Sequence, residues 1–130
     1  MNEKLKRILY AEDEPDIREV AYLALEAVGG FTVLLCESGQ AALDSVEDFA
    51  PDVILLDMMM PGLDGTETLK RLQEHPTCAD VPVIFMTAKV QRHEVNSYRA
   101  LGALDVIPKP FDPMTLAATV ENLWNENRAE

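Results

Sequence analysis

The feature that most restricts the fold is one pattern repeated five times: a short, mostly apolar run followed by a stretch of helical periodicity. The apolar runs cover residues 7–11, 31–36, 53–56, 83–86 and 105–107. Segments such as Val53-Ile54-Leu55-Leu56 and Val83-Ile84-Phe85-Met86 are apolar throughout, as parallel strands are when helices cover both faces of their sheet. Ile17, Val20, Ala21, Ala24 and Val28 predict one buried face for the first helix, stopped by Gly29-Gly30. Ser38 predicts the N-cap of a second helix carrying Ala42, Leu43, Val46 and Phe49. Turn chemistry at Pro61-Gly62-Leu63-Asp64-Gly65 precedes a third helix marked by Leu69 and Leu72, and Val95, Tyr98 and Leu101 mark a fourth. Asp112-Pro113 reads as the N-cap and first turn of a fifth, with Leu116, Ala117, Val120, Leu123 and Trp124 as its buried stripe. The fold class expected is α/β: a doubly wound (βα)5 parallel sheet with right-handed crossovers and strand order 2-1-3-4-5.

A chain of 130 residues has room for one such domain, expected to fill residues 1–130 with its core at about 6–126 and no output domain. No apolar run approaches the roughly 20 residues of a membrane helix, and the polar start Met1-Asn2-Glu3-Lys4 does not resemble a secretory signal. The formal net charge of -12 argues against direct nucleic-acid binding, which depends on neutralising phosphates, and against an anionic membrane surface. Cys36 and Cys78 have neither a metal-ligand spacing nor a C-x-x-C pairing, and a reducing, cytoplasmic location is expected.

In an open parallel sheet, ligands bind beyond the carboxyl ends of the strands, where strand order reverses. Glu12 and Asp13 follow the first strand, Asp57 ends the third, Thr87 follows the fourth and Lys109 the fifth. Three carboxylates in one crevice repel and would raise one another's pKa unless positive charge sits among them, and Lys109 supplies a single charge. Oxygen ligands with open positions suit Mg²⁺, which takes one or two carboxylates, waters and a phosphate oxygen. No Ser/His/Asp grouping lies near these loops, nor is there an H-E-x-x-H or a G-x-x-x-x-G-K-[ST] segment. An ionised carboxylate can itself be the nucleophile toward phosphorus, and such transfer asks mainly for positioning and charge neutralisation.

Glu12-Asp13-Glu14-Pro15, the segment Asp57-Met58-Met59-Met60-Pro61-Gly62-Leu63-Asp64-Gly65, Met86-Thr87-Ala88 and Lys109-Pro110-Phe111 together resemble the four signature segments of response-regulator receivers, the CheY-like domains of two-component signalling. The resemblance runs in order over nearly the whole chain. It implies that Asp57 takes a phosphoryl group from a histidine kinase or a histidine phosphotransfer protein, and that the domain is a signalling phospho-acceptor rather than an enzyme, catalysing only its own phosphoryl transfer and a slow self-dephosphorylation. It implies Mg²⁺ held by Asp13, Asp57 and the Met59 backbone carbonyl, with Glu12 acting directly or through water. Thr87 and Lys109 would bind phosphoryl oxygens, the Lys109-Pro110 bond would be cis, and a downstream protein would dock on the face of helix 4, strand 5 and helix 5.

Two positions depart from the family's usual pattern. Glu12 stands where Asp is commoner, and Val106 where many receivers carry Tyr or Phe, so that phosphorylation-driven change is expected mostly in the loop and backbone of helix four. Met59 offers no strong polar group to orient an attacking water and Lys89 lies two residues after Thr87, which together predict slow loss of the phosphoryl group. Thr87 also reads as an N-cap of helix four, Glu14 and Asp16 as first-turn charges, Met60 as the inward member of the Met58-Met59-Met60 run, and His75 and His93 as surface residues. Competing functions are a phosphatase of the haloacid-dehalogenase type, which would place its nucleophile after strand one, and a flavodoxin-like module, whose phosphate two carboxylates would repel. The remaining alternative is a pseudo-receiver serving as an interaction or dimerisation module without phosphorylation, which the presence of every phosphoryl-handling residue disfavours and Val106 keeps open.

Overall fold

The computed structural model describes residues 4–128. Five parallel strands, β1 (Arg7–Ala11), β2 (Thr32–Cys36), β3 (Val53–Asp57), β4 (Val83–Thr87) and β5 (Asp105–Pro108), form one sheet in the order β2-β1-β3-β4-β5. Helices α1 (Pro15–Tyr22), α2 (Gly39–Phe49), α3 (Gly65–Gln73), α4 (Arg92–Ala100) and α5 (Leu116–Arg128) connect or follow them. Architecture and strand order agree with the sequence reading.

The apolar runs are continuous because the central strands β1, β3 and β4 each feed two cores. Ile8 and Tyr10, Val53 and Leu55, and Ile84 and Met86 pack into one layer with Leu25, Leu116, Ala117, Val120 and Trp124. Their strand neighbours Leu9 and Ala11, Ile54 and Leu56, and Val83 and Phe85 pack into the other, with Ala42, Val46, Leu69 and Leu72. The period of two along each strand thus sorts residues between layers. At the amino ends of the strands the Asp52 carboxylate accepts the backbone N–H groups of Lys6 (3.0 Å) and Arg7 (2.9 Å), while its carbonyl accepts Trp124 Nε1 (3.2 Å). This cross-link of β1, the approach to β3, and α5 leaves the opposite, carboxyl end of the sheet free for chemistry.

Several details differ from the sequence reading. Val20 and Val28 are exposed, while Leu25 is fully buried. The first helix continues as a π-helical segment, Leu23–Val28, whose wider turn takes Val28 off the face that a period of 3.6 selects, while Val20 is exposed within the α-helical part that precedes it. The segment ends at Gly30, whose φ of +77° suits glycine. Thr87 does not cap α4: Gln91 does, with its backbone N–H donating to the Glu94 carboxylate at 3.1 Å. The Asp112 carboxylate accepts the Met114 N–H at 2.9 Å, so Asp112-Pro113 opens a turn and α5 proper starts at Leu116. Met58 is buried as well as Met60, leaving only Met59 of the three in solvent, and Leu101 is exposed rather than packed. Ser38 does cap α2, accepting from the Ala41 N–H at 3.0 Å.

The π-helical face makes a direct prediction. Leu25→Ala should lower the unfolding free energy by about 2–5 kcal/mol, whereas Val20→Ala and Val28→Ala should each stay within about 0.5 kcal/mol. Urea denaturation of the three variants measures this; equal losses at positions 25 and 28 would restore an uninterrupted α-helix.

Candidate functional site

Strand pairing brings the chemistry to one end of the sheet. Ala11 lies opposite Leu56, Asp57 opposite Met86, and Thr87 opposite Pro108. Glu12 and Asp13 therefore leave β1 beside Asp57, and Lys109 leaves β5 beside Thr87. The ladder extends past the strands to hold these ends: Glu12 N–H donates to the Cys36 carbonyl (2.9 Å), Met58 N–H to Met86 (3.1 Å) and Lys109 N–H to Thr87 (3.0 Å). Arg18 on α1 donates to the Glu12 carbonyl at 2.7 Å.

The β3–α3 loop is fixed from its far side. Asp64 caps α3 by accepting the Glu67 N–H at 2.9 Å, and Gly65 N–H donates to the Met58 carbonyl at 3.0 Å. A Cβ on Gly65 would lie 2.9 Å from both the Asp57 carbonyl oxygen and the Met58 Cα, so the close approach of α3 to the end of β3 requires glycine.

One carboxylate oxygen from each of Glu12, Asp13 and Asp57 can be chosen so that all lie within 4.8 Å of one another. Glu12 and Asp57 are buried and Asp13 is partly exposed. The Lys109 ammonium lies 2.9 Å from Glu12 Oε1 and 3.2 Å from Asp57 Oδ1. Asp57 Oδ1 also accepts the Met59 N–H at 3.3 Å. Thr87 is buried, and its hydroxyl oxygen accepts the Lys89 N–H at 3.1 Å. The Lys109-Pro110 peptide is cis. The residues singled out from the sequence at the strand ends thus share one crevice edge.

The electrostatics reflect the excess of negative charge. Burial, then the hydrogen bond and charge of Glu12, push the Asp57 carboxyl up to about 7, and the opposing effect of Lys109 does not cancel this. Burial works against the Lys109 charge, but Glu12 and then Asp57 hold the ammonium above its ordinary range. Two residues not singled out from the sequence belong to the site. Tyr10 reaches from within β1 to donate its phenol to Glu12 Oε1 at 3.2 Å, and burial followed by the Glu12 charge keeps that phenol protonated far above its ordinary range. Arg18 is the other. The signal for Tyr10 was an aromatic hydroxyl inside an otherwise apolar strand; Arg18 is one charged residue among many on a helix surface.

The donor set fits a hard divalent cation: three carboxylates converge, two of them buried, with one lysine to offset them. Such an ion, when bound, supplies the positive charge the crevice lacks. Among the described residues no helix is long and apolar enough to cross a membrane.

Comparison with known proteins agrees with this geometry. The family model described as the response regulator receiver domain matches residues 8–121. The chain is 40% identical over 116 residues to the phosphate regulon transcriptional regulatory protein PhoB of Pseudomonas aeruginosa, covering 89% of this chain and 50% of that protein. It is 32% identical over 130 residues to the DNA-binding response regulator MtrA of Mycolicibacterium smegmatis, covering 100% of this chain and 55% of the relative. The chain thus spans about half the length of these curated relatives. Among solved structures, the chemotaxis response regulator CheY4 of Vibrio cholerae superposes with a TM-score of 0.85 at 26% identity, covering 92% of this chain and 99% of that one. The N-terminal domain of a response regulator receiver protein from Methanoculleus marisnigri gives 0.74 at 36% identity, covering 92% and 96%. The chain belongs to the response-regulator receiver family.

The raised Asp57 carboxyl sets a pH dependence. Between the ordinary carboxyl range and about 7, the folded state keeps a proton that the unfolded chain releases, so this group's contribution to stability falls as pH rises. Asp57→Asn should therefore raise the unfolding free energy by roughly 1–3 kcal/mol at pH 8 without divalent cations, and the gain should shrink toward pH 5. Denaturation of both proteins across that range checks it; a difference independent of pH would contradict the charge-crowding account.

Proposed function

We propose that Asp57 is the phosphoryl acceptor of a two-component phosphorelay. The observation that carries this reading is the placement of the Asp57 carboxylate beside both Glu12-Asp13 and the Lys109 ammonium, 3.2 Å away, at the carboxyl edge of the sheet. An Asp57 oxygen attacks phosphorus as the bond to the donor histidine's ring nitrogen breaks, and the electron pair returns to the imidazole. The donor is a histidine kinase or a histidine phosphotransfer protein.

Glu12, Asp13, Asp57 and the Met59 carbonyl would hold Mg²⁺, which neutralises charge on the transferring group when bound. Lys109 offers its ammonium to a phosphoryl oxygen and Thr87 offers its hydroxyl to another. The Thr87 side chain now faces the Lys89 N–H, so engaging the phosphoryl group draws on the β4–α4 loop. Helix α4 has no fully buried residue and leans on the sheet through the edge-to-face contact of Tyr98 with Phe85, 5.5 Å between centroids. An element held by so little is suited to shift, which supports output through the α4–β5–α5 face even with Val106 in place of an aromatic. The described residues make one receiver unit, and the DNA binding and transcriptional regulation named for the relatives are not extended to this chain. A soluble, cytoplasmic module is the setting this chemistry needs.

Incubation with acetyl phosphate followed by intact-mass spectrometry tests the proposal. The expected result is gain of one phosphoryl group that requires Mg²⁺ and is lost in Asp57→Asn. No gain, with Mg²⁺ binding established independently, would favour a pseudo-receiver that works by partner capture alone.

A further inference from the structure

The proposed transfer leaves the buried phenol of Tyr10 without a task. The side chain is fully buried and its ring packs in the layer between the sheet and α5. Its hydroxyl donates to Glu12 Oε1 at 3.2 Å, and the Lys109 ammonium donates to that same oxygen at 2.9 Å. Lys109 also reaches Asp57 Oδ1. Glu12 is wholly buried, and its other oxygen accepts the Glu14 N–H at the longer distance of 3.3 Å.

A buried carboxylate stripped of its donors is strongly destabilising. If Lys109 is drawn onto a phosphoryl oxygen at Asp57, Glu12 Oε1 loses its charged partner. Tyr10 stands two residues back on the same strand, fixed by its packing, and cannot follow the lysine.

We propose that Tyr10 is a positioning residue for the cation and phosphoryl site: its phenol holds Glu12 Oε1 in place, which frees Lys109 to pass from Glu12 to the phosphoryl group. The inference rests on the reading of Asp57 as a phosphoryl acceptor beside Mg²⁺. Glu12 then stays aimed at the cation whether or not the lysine is bound to it. The strand supplies the hydroxyl at no cost in packing, because a phenylalanine would fill the same space without it.

Calorimetric titration of the full chain with Mg²⁺ at pH 8 tests this on Tyr10→Phe, with Val120→Ala as a variant that loses buried core volume and no polar group. Tyr10→Phe should weaken Mg²⁺ binding by about tenfold, while Val120→Ala should lower stability and leave the Mg²⁺ affinity within about twofold of wild type. A second measurement follows the shared oxygen directly, by urea denaturation without divalent cations. There Tyr10→Phe should reduce the folding equilibrium constant at least about tenfold more in a Lys109→Met background than alone, since each donor covers for the other. Unchanged Mg²⁺ affinity in Tyr10→Phe, with normal binding in wild type, would overturn the role of Tyr10 and leave the acceptor reading intact. Absence of Mg²⁺ binding to the wild type would instead take down the reading on which it rests.

Discussion

Three carboxylates and one ammonium crowd the carboxyl end of this sheet, and most of the surrounding structure serves to keep them there. Glu12 and Asp57 are buried, and the Lys109 ammonium within 3.2 Å of both offsets only part of their charge. Left to local preference these side chains would turn outward into water. They are prevented by backbone bonds that prolong the ladder beyond β1, β3 and β5, by Arg18 on the Glu12 carbonyl, and by the close fit of Gly65 against the end of β3. The rigidity of the sheet holds together three carboxylates whose repulsion would otherwise open a loop, an arrangement compatible with binding a cation.

The stability given up at this end is offset by ordinary means elsewhere. Both faces of β3 and β4 are buried throughout, and the amino ends of the strands are tied by Asp52 to β1 and Trp124. Function and stability are thus segregated along the strand axis, the pattern expected where an α/β sheet binds its ligand beyond the carboxyl ends of its strands. Helix α4 is the least anchored of the helices that cover the sheet, with no fully buried residue of its own.

The architecture and the convergence of the candidate site residues were legible in the sequence because both are written at short range. Unbroken apolar runs specify parallel strands, and a charged residue placed directly after such a run must lie at the carboxyl edge. What was not legible depended on geometry that periodicity does not carry. Val28 matches a 3.6-residue face, yet within the π-helical segment it is exposed while Leu25 is buried. Thr87 has the chemistry of an N-cap, but the loop after β4 runs on to Gln91 before α4 begins. Met58 lies buried beside Met60 because β3 and the start of α3 close over it, a tertiary effect. Tyr10 read as one more strand former, since nothing local distinguishes a phenol aimed at a carboxylate from one aimed at solvent. The ligand roles of Glu12, Asp13, Asp57 and the Met59 carbonyl rest on chemistry and family likeness rather than on a bound ion.

The most direct test of the central claim is to locate the cation. Crystals grown with Mn²⁺ in place of Mg²⁺ would give an anomalous scattering signal that marks the metal without reference to the protein's geometry. The account predicts a single strong peak bounded by the Asp13 and Asp57 carboxylates, with Glu12 turned toward it. A structure with Mn²⁺ at other surface carboxylates and none in this crevice would contradict it.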